Sequence, residues 1–246
     1  MITTKTFPPS RFNSFVIQAY RLVLGRILPQ SLLRDKIPTE TDRKAVKGKF
    51  ELEIVSHCWG YANMLTYQLS SFVNHPPTKL NLTVTVFYAE EDTKTKATLD
   101  FFGNITMPNI TWNFHPLSKG KLFRRGIGRN MAARSTEADW IWFTDCDSIF
   151  YQNCFSSLRQ QLRYELSPLV FPLIEHRSRP LHPEHTHLSF DGGHISLVDI
   201  EPNDFVATAI TRATGPLQIV HGDVARKLGY CQQSTIYQKP ARHWCK

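Results

Sequence analysis

The feature that most constrains the fold is an alternation of strand-like and helix-like segments that begins near Phe50. Strand-like runs, rich in apolar and β-branched residues, lie at 51–56, 82–89, 110–114 and 140–144. Helix-like segments lie between them, at 61–73, 93–102 and 125–136. This alternation predicts an α/β fold with a mostly parallel sheet and helices on both faces.

Two carboxylates follow the last of these strands directly. Residues 140–150 read WIWFTDCDSIF, so Asp145 and Asp147 (the carboxylate pair) lie at the carboxyl end of an apolar strand, where ligands bind in such sheets. Neighbouring carboxylates repel each other unless a cation lies beside them. Mg²⁺ and Mn²⁺ prefer oxygen ligands and recruit substrate phosphates. The pair predicts a divalent-metal site, and a turn that caps the next helix is the alternative.

A basic segment precedes the carboxylate pair. Arg124, Arg125 and Arg129 carry guanidinium groups suited to forked contacts with phosphates, and Asn130 adds a neutral donor and acceptor. Two glycines in the same segment would let a ligand approach the backbone closely. The segment therefore predicts a diphosphate contact, with a solvated basic helix face as the alternative.

Composition places the chain among ordinary globular proteins and gives it a basic balance. Of the 246 residues, 41% are hydrophobic and 20% are charged, which argues against a disordered or fibrous protein. The net charge of +8 favours anionic partners without choosing among them. The five cysteines are scattered and odd in number, so reduced thiols are expected rather than a zinc ribbon or disulfide framework.

The N-terminal segment differs from the rest of the chain. Residues 11–28 have helical apolar spacing, which predicts a helix packed on its own domain, with a membrane-surface helix as the alternative. The chain lacks an apolar run of about 18 residues, and its start lacks the features of a secretory signal. We expect a cytoplasmic protein, peripheral on the inner face of a membrane if 11–28 binds lipid. Residues 1–45 then precede a domain at 46–246.

The run from Gly126-Ile127-Gly128-Arg129-Asn130 through the apolar strand to Asp145-Cys146-Asp147 resembles the nucleotide-sugar-binding part of family 2 glycosyltransferases. The resemblance covers roughly 50–155 well and 165–230 loosely. It implies a GT-A type fold, with a donor half at about 50–155 and an acceptor half at about 156–246. It also implies transfer of a sugar, with inversion, from a nucleoside diphosphate to a hydroxyl of a glycan or lipid-linked acceptor, aided by Mn²⁺ or Mg²⁺.

The resemblance also implies roles for individual residues. Asp147 would bind the metal, and Asp145 would contact the donor and the metal. His221 would be a third metal ligand or a phosphate contact. The remaining residues expected to contact the nucleotide-sugar are Ser56, His57, Glu90, Asp92, Arg125, Arg129 and Asn130.

An inverting enzyme needs a base to take the proton of the acceptor hydroxyl. The usual late carboxylate pair of the family has no obvious counterpart before the terminal HWCK. Asp191, beside Gly192-Gly193, and Asp223 are the candidates. Either the base is unconventional or a C-terminal part is missing from the chain.

Five histidines lie close together between 176 and 194, at His176, His182, His185, His187 and His194. They predict a polar acceptor-binding loop, with a zinc site as the alternative. Two other functions stay open, namely a non-catalytic or truncated nucleotide-sugar binder and a nucleotidyltransferase. A nucleic-acid partner is not expected, because the basic residues are dispersed.

Overall fold

The computed structural model describes residues 37–44, 46, 48–179, 195–201, 203 and 205–230. The chain divides into two units between Ile37 and Pro38, and every element below belongs to the second unit, Pro38–Lys246. The helix predicted at 11–28 lies outside the described residues. Among the helices that are described, none is long and apolar enough to cross a membrane.

Eight strands form two sheets in the described part of the chain. They are β1 Phe50–His57, β2 Leu80–Tyr88, β3 Ile110–Pro116, β4 Trp140–Phe143, β5 Leu169–Val170, β6 Ile174–Ser178, β7 Phe205–Ala209 and β8 Gln218–His221. The large sheet has the order β3-β2-β1-β4-β8-β5, and β6 and β7 form a separate antiparallel pair. Strands β1 to β4 run parallel, whereas β8 is antiparallel to both β4 and β5.

Helices flank this sheet. They are α1 Ala62–Asn74, α2 Thr93–Gly103, α3 Lys119–Leu122, α4 Arg125–Ser135, α5 Cys154–Leu162 and α6 Gly222–Leu228. The predicted α/β class is confirmed. The seven predicted strands and helices between residues 51 and 144 are all present, with ends that agree to within two residues.

Strand β4 shows why the sheet is covered on both faces. Its four residues are all buried, and successive side chains point to opposite sides. Trp140 and Trp142 pack into a core with residues of α1, α2 and α5, whereas Ile141 and Phe143 pack into a second core with residues of α3, α4 and α6. A strand buried in this way reads as a continuous apolar run, which is the pattern seen in the sequence.

Two segments differ from expectation. The stretch beginning at residue 175 was expected to be an irregular loop, but residues 175–178 belong to strand β6. No strand is predicted at residues 218–221, but they form β8 within the sheet. Both strands are short and pair antiparallel with distant segments, so their stability depends on tertiary partners rather than on local pattern.

Candidate active site at the end of strand β4

The carboxyl ends of β1, β2 and β4 lie at one edge of the sheet, because these strands are parallel. Val55 pairs with Phe143, and the N–H of Thr144 donates to the Val55 carbonyl at 3.0 Å. The pairing with β1 therefore continues for one residue beyond the end of β4. The loop that carries Asp145 and Asp147 begins directly after that residue. This is the edge at which the sequence predicted a ligand site.

Helix α1 holds that loop in place. The amide nitrogen of Gln68, whose side chain is fully buried, donates to the carbonyls of Asp145 at 2.8 Å and Ser148 at 3.1 Å. Ser71 Oγ accepts a bond from the N–H of Phe150 at 3.1 Å. These bonds satisfy backbone groups that strand pairing does not reach, and they fix the path of the loop.

Arg125 lies at the open side of the carboxylate pair. Its Nη1 donates to Asp145 Oδ1 at 2.6 Å, and the two side chains are 59% and 31% exposed. Arg125 is therefore a solvent-accessible guanidinium next to the carboxylates, where a phosphate would gain a forked contact.

Arg129 is different, because it is buried. Its Nη1 donates to the Gly215 carbonyl at 3.0 Å and to the Tyr230 hydroxyl at 2.8 Å. Its Nη2 donates to the Thr144 carbonyl at 3.3 Å and lies 3.5 Å from Asp145 Oδ1. The guanidinium thus joins three chain segments around the loop, and both of its terminal nitrogens donate to protein groups.

The pKa of the Asp147 carboxyl is raised. Surrounding protein atoms reduce its solvation although part of the residue reaches solvent, and the negative charge of Asp145 acts in the same direction. Arg125 lowers the pKa and Glu175 raises it, each to a lesser degree. A cation beside Asp147 would favour its ionised form.

A cleft of about 820 Å³ opens beside the carboxylate pair. Its apolar lining includes Trp142, Phe150 and Phe205, and its polar lining includes Asp147 and Glu175. Strand β6 and the loop after β4 thus face one space, which is large enough for a sugar-sized ligand.

The predicted nucleotide contacts at the end of β1 are buried. The imidazole of His57 stacks on Phe87 with ring centroids 5.0 Å apart, and burial together with the charges of Arg129 and Arg125 lowers its pKa to about 3. Within the described residues, Ser56 Oγ and both ring nitrogens of His57 have no hydrogen-bond partner. In this structure, neither side chain forms an open wall for a nucleotide.

Three further residues expected to contact the nucleotide-sugar are Glu90, Asp92 and Asn130. One lies at the surface, and the other two make hydrogen bonds within the protein. Glu90 is exposed at the end of β2. Asp92 caps α2 and also accepts a bond from the N–H of Gly60 at 2.6 Å. Asn130 Oδ1 accepts a bond from the N–H of Tyr230 at 3.0 Å.

His221 and Asp223 lie at the other end of the sheet. His221 pairs with Trp140 at the start of β4, and its Nδ1 accepts a bond from the N–H of Asp223 at 3.2 Å. The Asp223 carboxylate accepts bonds from the N–H of Lys44 at 2.8 Å and from Arg226 at 2.7 Å. The structure therefore places His221, expected as a third metal ligand or phosphate contact, and Asp223, expected as a candidate base, at the opposite end of β4 from Asp145 and Asp147.

The other predicted residues near the acceptor fall mostly outside the described part of the chain. This applies to Asp191, His182, His185, His187 and His194. His176 is described, lies exposed on β6, and lines the cleft.

The carboxylate pair fits a hard divalent cation. The described residues contain no group of three or more His, Cys, Asp or Glu side chains placed to hold a metal. Mg²⁺ and Mn²⁺ are nevertheless commonly held by one or two carboxylates, with water and substrate phosphates as the other ligands. Asp145 and Asp147 are two such carboxylates, and they line the cleft close to Arg125.

Sequence reasoning missed Gln68 and Glu175. A polar residue on the buried face of an apolar helix is a signal for Gln68, because a buried amide requires partners. Its partners lie about 80 residues away in the chain, so the pattern alone does not identify them. Glu175 lies in a segment for which the sequence predicts a loop, so the pattern does not place it on a strand.

No protein-family profile matches this chain, and no curated protein matches it in sequence. Among solved structures, a mannosyltransferase, PcManGT from Pyrobaculum calidifontis in complex with GDP-Man and Mn²⁺, is 15% identical with a TM-score of 0.37. That match covers 65% of this chain and 45% of the other. S. aureus TarS 1–349 is 16% identical with a TM-score of 0.34, covering 46% and 31% of the two chains. The matches thus span less than half the length of these proteins.

Proposed function

We propose that this chain is a metal-dependent glycosyltransferase of the GT-A type. It would move a sugar, with inversion, from a nucleoside diphosphate to a hydroxyl of a glycan or lipid-linked acceptor. The observation that carries the proposal is the carboxylate pair at the carboxyl end of buried strand β4, with Arg125 bonded to Asp145 and a cleft beside Asp147.

Different residues of the site would bind the metal, contact the diphosphate and hold the loop in place. Asp147, with Asp145, would hold Mn²⁺ or Mg²⁺, which when bound supplies positive charge to a leaving diphosphate. Arg125 would exchange its bond with Asp145 for contacts to the diphosphate. Gln68 would keep both carboxylates in position by fixing the loop backbone.

A thermal-shift panel tests this proposal. The full chain would be heated with UDP-, GDP-, dTDP- and CMP-sugars, each with and without Mn²⁺, because a ligand of the folded state raises the apparent melting temperature. We expect one nucleotide class to raise the temperature only when Mn²⁺ is present. Asp147→Ala should abolish this shift.

Asp100→Ala is the matched control, because Asp100 is an exposed residue of α2 that pairs with Lys96 away from the site. It should keep the full shift. The proposal would be contradicted if the shift in melting temperature survived Asp147→Ala. It would also be contradicted if no nucleotide-sugar raised the melting temperature. A metal-dependent shift without turnover of the donor would instead identify a non-catalytic nucleotide-sugar binder.

A further inference from the structure

The cleft contains an acidic side chain that the proposed donor site does not use. Glu175 of β6 lines the cleft together with Asp147, and its side chain is 25% exposed. The two carboxylates therefore line the same open cleft.

The contacts of Glu175 leave one oxygen available. Arg177 Nε donates to Glu175 Oε2 at 2.5 Å, and this contact orients the carboxylate. Across the strand pair, Glu175 lies opposite Thr208, which fixes the backbone. In the part of the chain that the structure describes, no hydrogen bond is made by Oε1. Because Glu175 lines the cleft, this oxygen is free to accept a proton from a hydroxyl that enters the cleft.

Other titratable groups along the cleft are less suited to this role. Asp145 is bonded to Arg125, and the proposed function uses Asp147 for the cation. His176 also lines the cleft, but it is more exposed to solvent than Glu175. Glu175 is the remaining carboxylate among the described residues that line the cleft.

The geometry points to Glu175 as the general base of the transfer, an inference that rests on the proposed function. The Glu175 carboxylate takes the proton of the acceptor O–H, and the oxygen forms a bond to the anomeric carbon. The bond from that carbon to the diphosphate oxygen breaks, and its electron pair leaves with the diphosphate. Atoms and charge balance without any oxidant or reductant.

The test uses water and azide as nucleophiles, so the natural acceptor is not needed. The full chain, with Mn²⁺ and the donor found in the thermal-shift panel, would be assayed for release of nucleoside diphosphate. Glu175→Ala should slow hydrolysis by about 100-fold or more, which is the usual contribution of a general base. Sodium azide, an anion that needs no deprotonation, should restore release and give a glycosyl azide.

Two measurements separate loss of the base from loss of the fold or of donor binding. Glu175→Ala and Glu175→Gln should both keep the Mn²⁺-dependent thermal shift of the wild type. Asp147→Ala should lose hydrolysis without recovery in azide. Glu137→Gln, an exposed carboxylate near the start of β4, should retain wild-type hydrolysis.

Undiminished hydrolysis in Glu175→Ala would overturn the assignment of the base while leaving the proposed function intact. So would hydrolysis that survives in Glu175→Ala but is lost in His176→Ala. Loss of the donor-dependent shift in both Glu175 variants would show a binding role instead. A wild-type chain that neither binds nor hydrolyses any donor would overturn the proposed function, and this inference with it.

Discussion

At the scale of single residues, two arginines one helical turn apart have different environments. Arg125 is 59% exposed and bonds to one carboxylate, whereas Arg129 is buried and bonds to Gly215, Tyr230 and Thr144. The two side chains are chemically identical. Their spacing in the sequence alone does not show which one contacts a ligand and which one packs within the protein. The distinction depends on which side of α4 faces the sheet.

Replacing each arginine by methionine should separate the two roles. Arg129→Met leaves buried carbonyls without their donors, so the free energy of unfolding should fall by about 2–4 kcal/mol. Arg125→Met should change it by less than about 0.5 kcal/mol, as exposed substitutions usually do, but should weaken the Mn²⁺-dependent binding of the donor. Urea denaturation and donor titration measure the two effects. Equal losses of stability would contradict this division.

At the scale of elements, the local pattern identified strands β1 to β4 and the three longer helices between them. Each is a regular periodic segment bounded by turn residues. Strands β5 to β8 were not predicted, because segments of two to five residues are too short to show a clear alternation of apolar and polar residues. The carboxylate pair could be predicted because it directly follows the apolar run of β4. Gln68 could not, because it bonds to a loop that is distant in sequence. Glu175 could not, because the sequence does not predict strand β6.

Helix α1 stabilises the site loop through the amide of Gln68 as well as the hydroxyl of Ser71. Gln68→Met keeps a similar shape but removes the donors to the carbonyls of Asp145 and Ser148. We expect a loss of about 1–3 kcal/mol in the free energy of unfolding, since two acceptors are left unsatisfied. The affinity for Mn²⁺ with the nucleotide should fall as well, which calorimetry would measure. A variant with wild-type affinity would show that the loop does not depend on α1.

Helix α4 approaches the ends of β1 and β2 through Gly128. A Cβ at this position would lie 2.3 Å from His57 Nε2 and 2.9 Å from ring atoms of Phe87. Gly128→Ala should therefore lower the free energy of unfolding by about 1–3 kcal/mol through overpacking.

The matched control is Gly120→Ala in α3, where a Cβ meets nothing within 4 Å. This change should be neutral or should raise the free energy of unfolding by about 0.5–1 kcal/mol, because glycine is entropically costly in a helix. Thermal or urea unfolding of both variants measures the difference. If Gly128→Ala were the more stable of the two, the close packing of α4 would be contradicted.

At the scale of the whole molecule, the two ends of the sheet have different chemistry. One end holds the carboxylate pair, Arg125 and the cleft. At the other end, Asp223 is bonded to Lys44 and Arg226. Although burial acts to raise the pKa of Asp223, hydrogen bonds from Lys44 and Arg226 lower it overall. At this second end Asp223 is paired with Arg226, whereas the two carboxylates at the first end line a cleft.

The buried His57 should make the stability of the molecule depend on pH. Its pKa is lowered to about 3 in the folded protein, so the unfolded chain binds a proton below about pH 6.5 that the folded chain does not. Stability is therefore full above that pH and declines as the pH falls. Between pH 7 and pH 4.5, the wild type should lose about 2–3 kcal/mol more than His57→Gln. Equal losses in urea denaturation would contradict a neutral, buried imidazole.

The position of the metal relative to the carboxylate pair can be measured most directly by the anomalous scattering of manganese. The crystals would be grown with Mn²⁺ and a nucleoside diphosphate. We expect a metal peak roughly 2.0–2.2 Å from a carboxylate oxygen of Asp147, with diphosphate oxygens completing the shell beside Arg125. A manganese peak away from the carboxylate pair, or a diphosphate bound at the end of the sheet that holds His221 and Asp223, would contradict it.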